Sequence, residues 1–163
     1  MLSVIPLVLA VAVLAEPPPS AVRGRLAVPG LRALQVEPAL AELLSEVALT
    51  EAARFKALEV VGQSDIAALL GHERQEQLLG CQDDACMASL AGALGADYLL
   101  VGSVGRVGSS TRIDLKIVDV HLAKVLARIG ETMSGRGEEA AEVVQRGVVE
   151  LLTPIAGAPA PVE

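Results

Sequence analysis

Residues 80–120 read GCQDDACMASLAGALGADYLLVGSVGRVGSSTRIDLKIVDV, and this stretch decides the fold. Its apolar residues recur at helical spacing up to Gly95, where a glycine readily takes the left-handed backbone that ends a helix. The first half of 98–107 is continuously apolar, which is typical of a central strand covered on both faces. After a Gly-Ser-Ser turn, residues 112–118 alternate between polar and apolar side chains, which indicates a strand with one face in solvent. The stretch therefore predicts a helix at 84–94, a central strand and a hairpin.

The flanking sequence supplies the other elements of the fold. Residues 25–28 form a short strand that the turn pair Pro29-Gly30 ends. The remaining predicted elements are a helix at 38–53, a strand at 55–61, a helix with Ser64 as its N-cap, a strand at 124–132 and a helix at 137–152. The order β-α-β-α-α-β-β-β-α places the chain in the α/β class, with a single mixed sheet of about five strands and helices mainly on one face. The strand at 124–132 or the one at 55–61 is expected at an edge of this sheet.

Helical spacing also predicts which side chains face the core. In chain order they are Leu40, Leu43, Leu44 and Val47; Ile66, Leu69 and Leu70; Met87, Leu90, Ala91 and Leu94; and Ala140, Val143, Val144, Val148, Leu151 and Leu152. In the strand at 112–118, the isoleucine and leucine side chains point inward and the charged ones point outward.

Composition narrows the classes of function. The chain has 163 residues, enough for one domain with its own core, and aromatic residues make up only 1% of it. With one Phe, one Tyr and no Trp, it lacks the stacking platforms on which proteins bind bases. The net charge is −7, and the 13 basic residues are scattered rather than clustered. Nucleic acid is therefore not expected as a partner.

The amino terminus is predicted to be a signal peptide at 1–15. It is almost wholly apolar, too short to span a bilayer, and of the length of a secretory apolar region. Val13 and Ala15 have the small side chains of a cleavage site, so cleavage is expected before Glu16. No Lys or Arg precedes the apolar run, which departs from the usual signal peptide; a buried amino-terminal strand or helix is the alternative reading. After cleavage, no membrane-spanning segment is expected.

Two further segments are predicted to flank the domain. Residues 16–24 contain three consecutive prolines and read as a solvated linker. Residues 154–163 are rich in Pro, Ala and Gly and read as a disordered tail. The domain itself is therefore predicted at 25–153.

Cys81 and Cys86 are the two cysteines of the chain. In an exported protein an oxidising compartment favours a disulfide between them, which would hold the start of the following helix. A pair of free thiols, or a metal or redox role, are the alternatives. The C-x4-C spacing is not that of a redox C-x-x-C motif, and zinc would need two more ligands. Asp83 or Asp84 is expected to cap the helix.

Two patterns resemble catalytic motifs and are interpreted as structural. Gly102, Gly105 and Gly108 lie three residues apart, but within and after a strand that leads to a hairpin, whereas a phosphate-binding glycine loop opens a helix. Close packing of a central strand explains them better. Ser103 is not in a G-x-S-x-G sequence, and His121 is expected in an exposed turn, so a Ser-His-Asp hydrolase is only a weak third hypothesis. No catalytic residue, cofactor or metal site is predicted.

Two aspartates are predicted to have structural roles at strand ends. Asp97 joins a helix to a strand. Asp119 falls on the inward side of its strand, where a carboxylate is costly unless it is hydrogen-bonded. We therefore expect Asp119 to accept backbone N–H groups of the turn that follows.

These motifs together resemble the amino-terminal domain of the TolB family and the related domain of the curli-assembly protein CsgG. The residues that carry the resemblance are GALGADYLLVGSVGRVG, then IDLKIVDV, then KVLARIGE after a turn, with RFKALEVVGQSDIAALL in the first half. It covers roughly residues 25–153. The turn after Val120 departs from the family, which usually has a glycine there. The resemblance implies an α/β domain in the bacterial envelope.

The sequence thus predicts an exported, non-enzymatic domain that binds an envelope protein in the periplasm or at the outer membrane. An exposed sheet edge could accept a strand from this partner. The alternative is a small-molecule or nucleotide-binding module that uses the ends of the early strands near Gly30, Gly62 and Ser64, where a helix N-terminus could hold an anion.

Overall fold

The computed structural model describes residues 23–71, 73, 77, 80, 81, 83–134 and 137–161. Its strands are β1 (Gly24–Ala27), β2 (Leu31–Leu34), β3 (Leu58–Val61), β4 (Tyr98–Val107), β5 (Ser110–Asp119) and β6 (Lys124–Met133). Its helices are α1 (Pro38–Ala52), α2 (Gln63–Leu70), α3 (Asp84–Gly92) and α4 (Gly137–Ala156). The predicted signal peptide and nearly all of the linker lie outside the described residues.

The six described strands form a single mixed sheet, which confirms the predicted class. The order across the sheet is β3-β1-β4-β5-β6, and β2 pairs with β4 outside this path. The early strands are parallel to their neighbours, and β4, β5 and β6 form the predicted antiparallel meander. The two strands expected at an edge, β3 and β6, are the outer strands of this order.

Strand β2 was not predicted. It follows β1 along the same side of β4: Leu26 pairs with Tyr98, and Leu31 pairs with Gly102. The turn at Pro29-Gly30, with Gly30 at φ +112°, interrupts the strand without turning the chain away from β4. A side chain of α1 then completes the start of β2, because the Leu31 N–H donates to Ser45 Oγ at 2.8 Å.

The two long helices, α1 and α4, pack on one face of the sheet, as predicted. Their buried side chains join those of β4, β5 and β1 in the larger apolar cluster of the protein. All six residues predicted to face inward from α4 are buried. The inward side chains of β5, Ile113, Leu115 and Ile117, are at most 1% exposed on this face.

The short helices α2 and α3 cover part of the other face. A second, smaller cluster joins Ile66 of α2 and Met87 of α3 to Leu99, Val101 and Val118 of the sheet. Leu99, Leu100 and Val101 are therefore all buried, with alternate side chains in opposite clusters. This matches the prediction of a central strand covered on both faces.

Two side chains predicted to be buried are exposed, and that of Leu70 lies outside the described part of the structure. Leu43 is 59% exposed and Leu69 is 64% exposed. The stripe that α1 buries is one position away, and it consists mainly of small residues: Ala41, Leu44, Ser45, Ala48, Glu51 and Ala52. Small side chains on this face let α1 lie close to its neighbours, and the larger Leu43 is left in solvent.

Three element boundaries also differ from the predictions. Strand β3 begins at Leu58 rather than residue 55, because Phe55 ends the turn after α1 and is fully buried there. Helix α2 begins one residue before Ser64, with Gly62 as its N-cap. Helix α3 ends at Gly92 rather than 94, although Gly95 has the predicted left-handed backbone, with φ +66°.

The carboxyl-terminal segment is more ordered than the predicted tail. Helix α4 continues through Pro154 to Ala156, since a proline in the last turn removes only one helical hydrogen bond. Left-handed Gly157 then ends it. The chain returns to Arg54, whose side chain donates to the Ala160 carbonyl oxygen from Nε at 2.9 Å. Among the described helices, none is both long and apolar enough to cross a membrane.

Candidate functional site

Beyond Val101, no helix in the described part of the chain covers the face of the sheet that α2 and α3 occupy. The register fixes the side chains that point from it. Ser103 of β4 lies beside Arg32 of β2 and Asp114 of β5, and in the next row Lys116 of β5 lies beside Arg128 of β6. We call this surface, defined by Arg32, Ser103, Asp114, Lys116 and Arg128, the open face.

A groove of about 330 Å³ crosses the open face. Cys81 and Met87 form an apolar wall on the side of α3, and Val101 and Ser103 contribute to the lining from β4. Because neighbouring strands lie about 4.8 Å apart, a groove that reaches from β2 to β6 is about 14 Å long. This is the length of a short extended segment of polypeptide.

A second depression of about 400 Å³ continues the groove toward the end of β4. Its lining shares Ser103 and Asp114 with the first. It adds two exposed apolar side chains, Leu34 at 42% and Val107 at 57%. The open face therefore has a polar centre and an apolar end.

The charges of the open face are mainly positive. Arg112 is neutralised by Asp114, to which it donates two hydrogen bonds of 2.9 and 2.7 Å. Gly130 of β6 makes room for this pair, since a Cβ there would overlap both partners. By contrast, Arg32 and Arg128 form no ion pair with any residue in the described ranges, and both line the groove. The open face thus presents guanidinium groups without an internal carboxylate partner.

The structure contains the Cys81–Cys86 disulfide, with 5.7 Å between the two Cα atoms. It links Cys81, which precedes α3, to Cys86 in the first turn of this helix, and Cys81 packs against the smaller apolar cluster. Asp83 is the N-cap of α3 and accepts a hydrogen bond from Cys86 N–H at 2.8 Å. The side chain of Asp84 lies outside the described part of the structure. The disulfide and the cap together position the wall of the groove.

A second polar cluster lies at the other end of β4, around Asp97. Its Oδ2 accepts a hydrogen bond from the Arg25 N–H at 2.7 Å, and its Oδ1 lies 2.7 Å from Nε2 of His121. The Arg25 guanidinium donates to the Leu94 carbonyl oxygen and forms an ion pair with Glu59. Asp97 thus ties β1 and the turn after β5 to the start of β4.

Asp119 stabilises the same turn from its other side. Its Oδ1 accepts a hydrogen bond from Leu122 N–H at 2.9 Å, and the side chain is partly exposed rather than buried. The register shift between Ile117 and Val118 lies on the side of β6, where Leu126 is the extra residue. Strand β5 pairs with β4 without interruption up to Asp119, so Asp119 is on the same side of the strand as Ile113, Leu115 and Ile117, at its partly exposed end.

The ion pair between His121 and Asp97 predicts a pH-dependent stability. The hydrogen bond to Asp97 raises the pKa of His121 above 6.5, and the same bond lowers the pKa of Asp97 below 3.8. The His121 contribution is fully present below pH 6.5 and is lost as pH rises through the raised folded-state pKa. The Asp97 contribution is present above pH 3.8 and is lost as pH falls through the lowered folded-state pKa.

We therefore expect the melting temperature to fall as pH rises above 6.5, and His121→Gln to reduce this fall. Thermal unfolding at several pH values measures it. His72→Gln, at the other histidine, is the matched control and should retain the wild-type pH dependence. Equal pH dependence in the wild type and His121→Gln would show that the ion pair does not contribute.

The glycines of the central strand have packing roles. A Cβ at Gly102 would overlap the Asp114 carbonyl oxygen, and Gly105 lies against Leu34. Gly108 has φ +62° in the hairpin turn. His121 lies beside Asp97, just before β4, whereas Ser103 is the sixth residue of that strand and about 20 Å away along it, so they do not form a Ser-His-Asp site.

The ends of the early strands have acidic rather than anion-binding surroundings. The Gly62 N–H, at the start of α2, donates to Asp65 Oδ2 at 3.2 Å. Glu42 and Glu46 of α1 line the adjoining depression together with Ser64. This arrangement disfavours phosphate or another anion near Gly62.

Comparisons with known proteins show the fold. No family model and no curated protein matches the chain. Among solved structures, it is similar to the LpoB C-terminal domain from Salmonella enterica, with TM-score 0.52 and 13% identity over 71% of this chain and 85% of that one. It is similar to PelC from Paraburkholderia phytofirmans, with TM-score 0.53 and 15% identity over 90% and 96% of the two chains.

TolB from Acinetobacter baumannii is also similar, with TM-score 0.51 and 15% identity. The match covers 82% of this chain and 29% of that one. The resemblance to TolB noted in the sequence is therefore confirmed as a likeness of fold. The resemblance to CsgG stays a prediction.

Proposed function

We propose that this chain is an exported, non-enzymatic domain that binds another protein in the bacterial envelope. The fold that it shares with LpoB, PelC and TolB supports an envelope setting, and the disulfide is consistent with an oxidising compartment. Residues 1–15 act as the signal peptide in this proposal, and the mature chain begins at Glu16. The periplasm or the outer membrane is the place of action.

The observation that carries the proposal is the edge strand β6. It has ten residues, whereas the opposite edge strand β3 has four. The middle of β6, residues 126–128, is exposed. A long edge strand offers unpaired backbone groups to which a strand of a partner can bind.

The register identifies the backbone groups available for pairing. The Val120 N–H donates to the Asp97 carbonyl oxygen, so Asp97 and Val120 are a hydrogen-bonded pair next to the ladder of β4 and β5. Hydrogen-bonded and non-hydrogen-bonded pairs alternate along an antiparallel ladder, so this pair determines which residues of β5 bond to β4 and which bond to β6. Ile113 and Leu115 then bond toward β6, where they face Glu131 and Ile129. The backbone groups of Arg128, Gly130 and Thr132 therefore point away from the sheet.

Thr132→Pro tests the proposal, because it removes an outward N–H and leaves the hydrogen bonds to β5 intact. Thr132→Val is the matched control, since both variants lose the bond from Arg112 to the threonine hydroxyl. A photoreactive residue is placed at exposed position 127 in cells that make the protein. We expect a discrete protein adduct that Thr132→Pro abolishes and Thr132→Val retains.

Absence of an adduct at position 127, or an adduct unchanged by Thr132→Pro, would contradict the proposal. The same photoreactive residue at exposed position 42 on α1 controls for random collisions. The mass of the exported form tests export separately. A mature chain that still begins at Met1 would contradict signal-peptide cleavage.

A further inference from the structure

We infer that the open face binds an acidic, extended segment of a partner protein. The inference rests on the proposed function and specifies the chemistry of the partner. Among the described residues, Arg112 on this face is neutralised by Asp114, whereas Arg32 and Arg128 carry guanidinium charges that no described carboxylate pairs. The whole chain has a net charge of −7, so a local excess of positive charge is not a consequence of composition.

The pairing of arginines elsewhere sharpens this contrast. Of the other described arginines, Arg25, Arg54, Arg112 and Arg146 each form an ion pair with a carboxylate, and the exposed Arg23 and Arg106 form none. Arg32 and Arg128 form no ion pair within the described residues. They lie on separate strands, and both line the groove of the open face. Guanidinium groups bind carboxylates through paired hydrogen bonds, so acidic side chains are the ligands that these two residues fit.

The shape and the apolar parts of the site favour a peptide over other anions. A groove with Met87 and Cys81 on one side and Leu34 and Val107 beyond its centre can pack apolar side chains next to the carboxylates. Because the groove runs across the strands, a segment bound in it meets the edge of β6 at Arg128 and does not itself pair along β6.

Polyanions fit the site less well. Nucleic acid binding needs a larger cluster of basic residues and aromatic side chains for its bases, and the overall negative charge opposes it. Of the two residues with large aromatic rings, Phe55 is fully buried and Tyr98 packs against the larger apolar cluster. The open face therefore offers no aromatic surface on which bases could stack.

The test uses purified protein and two synthetic peptides of eight residues. In one peptide Glu and Leu alternate, and in the other Gln replaces Glu. We expect the acidic peptide to bind at least tenfold more tightly than the neutral one in low salt, with the difference reduced by added salt. Fluorescence anisotropy of labelled peptides gives both dissociation constants.

Substitutions then locate the binding site. The double variant Arg32→Gln, Arg128→Gln should weaken the acidic peptide at least tenfold. Arg146→Gln removes an exposed arginine on α4, away from the open face, and should change the affinity less than twofold. Because all three positions are at least partly exposed, we expect unchanged melting temperatures apart from the small effect of the Arg146 ion pair.

Equal binding of the two peptides, or wild-type affinity in the double variant, would overturn the inference. Tighter binding of an anionic polysaccharide than of the acidic peptide at the same site would overturn its choice of partner. The proposed function can fail separately. Absence of an adduct at position 127 in the protein without Thr132→Pro, with peptide binding retained, would contradict edge pairing in cells. An adduct at position 127 without binding of the acidic peptide would contradict only the acidic-segment site.

Discussion

Gly102→Ala is expected to lower the free energy of unfolding by about 2–3 kcal/mol, a large part of the stability of a domain of this size. A Cβ at this position would overlap the Asp114 carbonyl oxygen and contact Leu115 at 2.7 Å and Leu31 at 3.0 Å. The first of these atoms belongs to the backbone of β5 and cannot rotate away. The strand pair must therefore separate locally, at the centre of the sheet.

Gly92→Ala is the matched control for this substitution. Gly92 is the last residue of α3, and a Cβ there would meet only Val120, at an ordinary contact distance of 3.7 Å. Alanine also restricts the unfolded chain more than glycine does, so we expect a gain of up to about 1 kcal/mol. Urea unfolding followed by circular dichroism measures both variants. Similar changes in the two would show that Gly102 is not held by close packing.

Gly102 also illustrates how far the sequence could predict the fold. The alternation in 112–118 and the apolar run in 98–107 predicted their strands correctly, because neither pattern is interrupted. They led to the antiparallel hairpin, the central strand and the structural reading of Gly102. The short strand β2 was missed because LRAL has only four residues and follows a Pro-Gly pair that usually ends a strand. These four residues form a strand only because they pair with β4, which is distant in the sequence.

The open face could be predicted only in part. The outward direction of Arg112, Asp114 and Lys116 followed from alternation within β5. Arg32 and Arg128 were not recognised, because they belong to strands that join this surface only through the sheet register. Nor could the sequence show that α3 covers one half of the face and leaves the other open. A charged residue in a short strand is by itself no signal of a site.

The same limit applies to Leu43 and Leu69. Their spacing matches a buried helical stripe, and a window of sequence cannot distinguish an apolar residue at the border of that stripe from one at its centre. The exposure of Leu43 follows from the direction in which α1 meets the sheet. Tertiary packing, with small residues at the contact, decides this direction.

Arg54→Ala is expected to destabilise the protein by about 2 kcal/mol. Arg54 forms an ion pair with Glu51, which is only 6% exposed, and its Nη2 donates to the Ala160 carbonyl oxygen at 2.7 Å. Removing one partner of a fully buried ion pair costs about 3–5 kcal/mol, because a charge stays buried without compensation. The side chain of Arg54 is 26% exposed, so solvent reduces that cost.

Two comparisons separate this effect from that of an ordinary surface ion pair. Arg146→Ala removes the pair with Glu131, in which the side chains are 58% and 43% exposed, and should cost less than about 1 kcal/mol. The double variant Glu51→Ala, Arg54→Ala should be less destabilised than the sum of its single substitutions, because no charge is left buried. Chemical unfolding of all four variants measures these differences.

The outcome bears on where the domain ends. If Arg54→Ala costs no more than Arg146→Ala, Glu51 does not depend on its partner and the segment after α4 contributes little. If it costs more, the difference has two sources, and shortening the chain after Gly157 separates them. The truncated protein should lose only the Ala160 contribution, because Glu51 and Arg54 remain paired. Arg54→Ala should then cost less in the truncated protein than in the full chain, since the Ala160 bond is already absent.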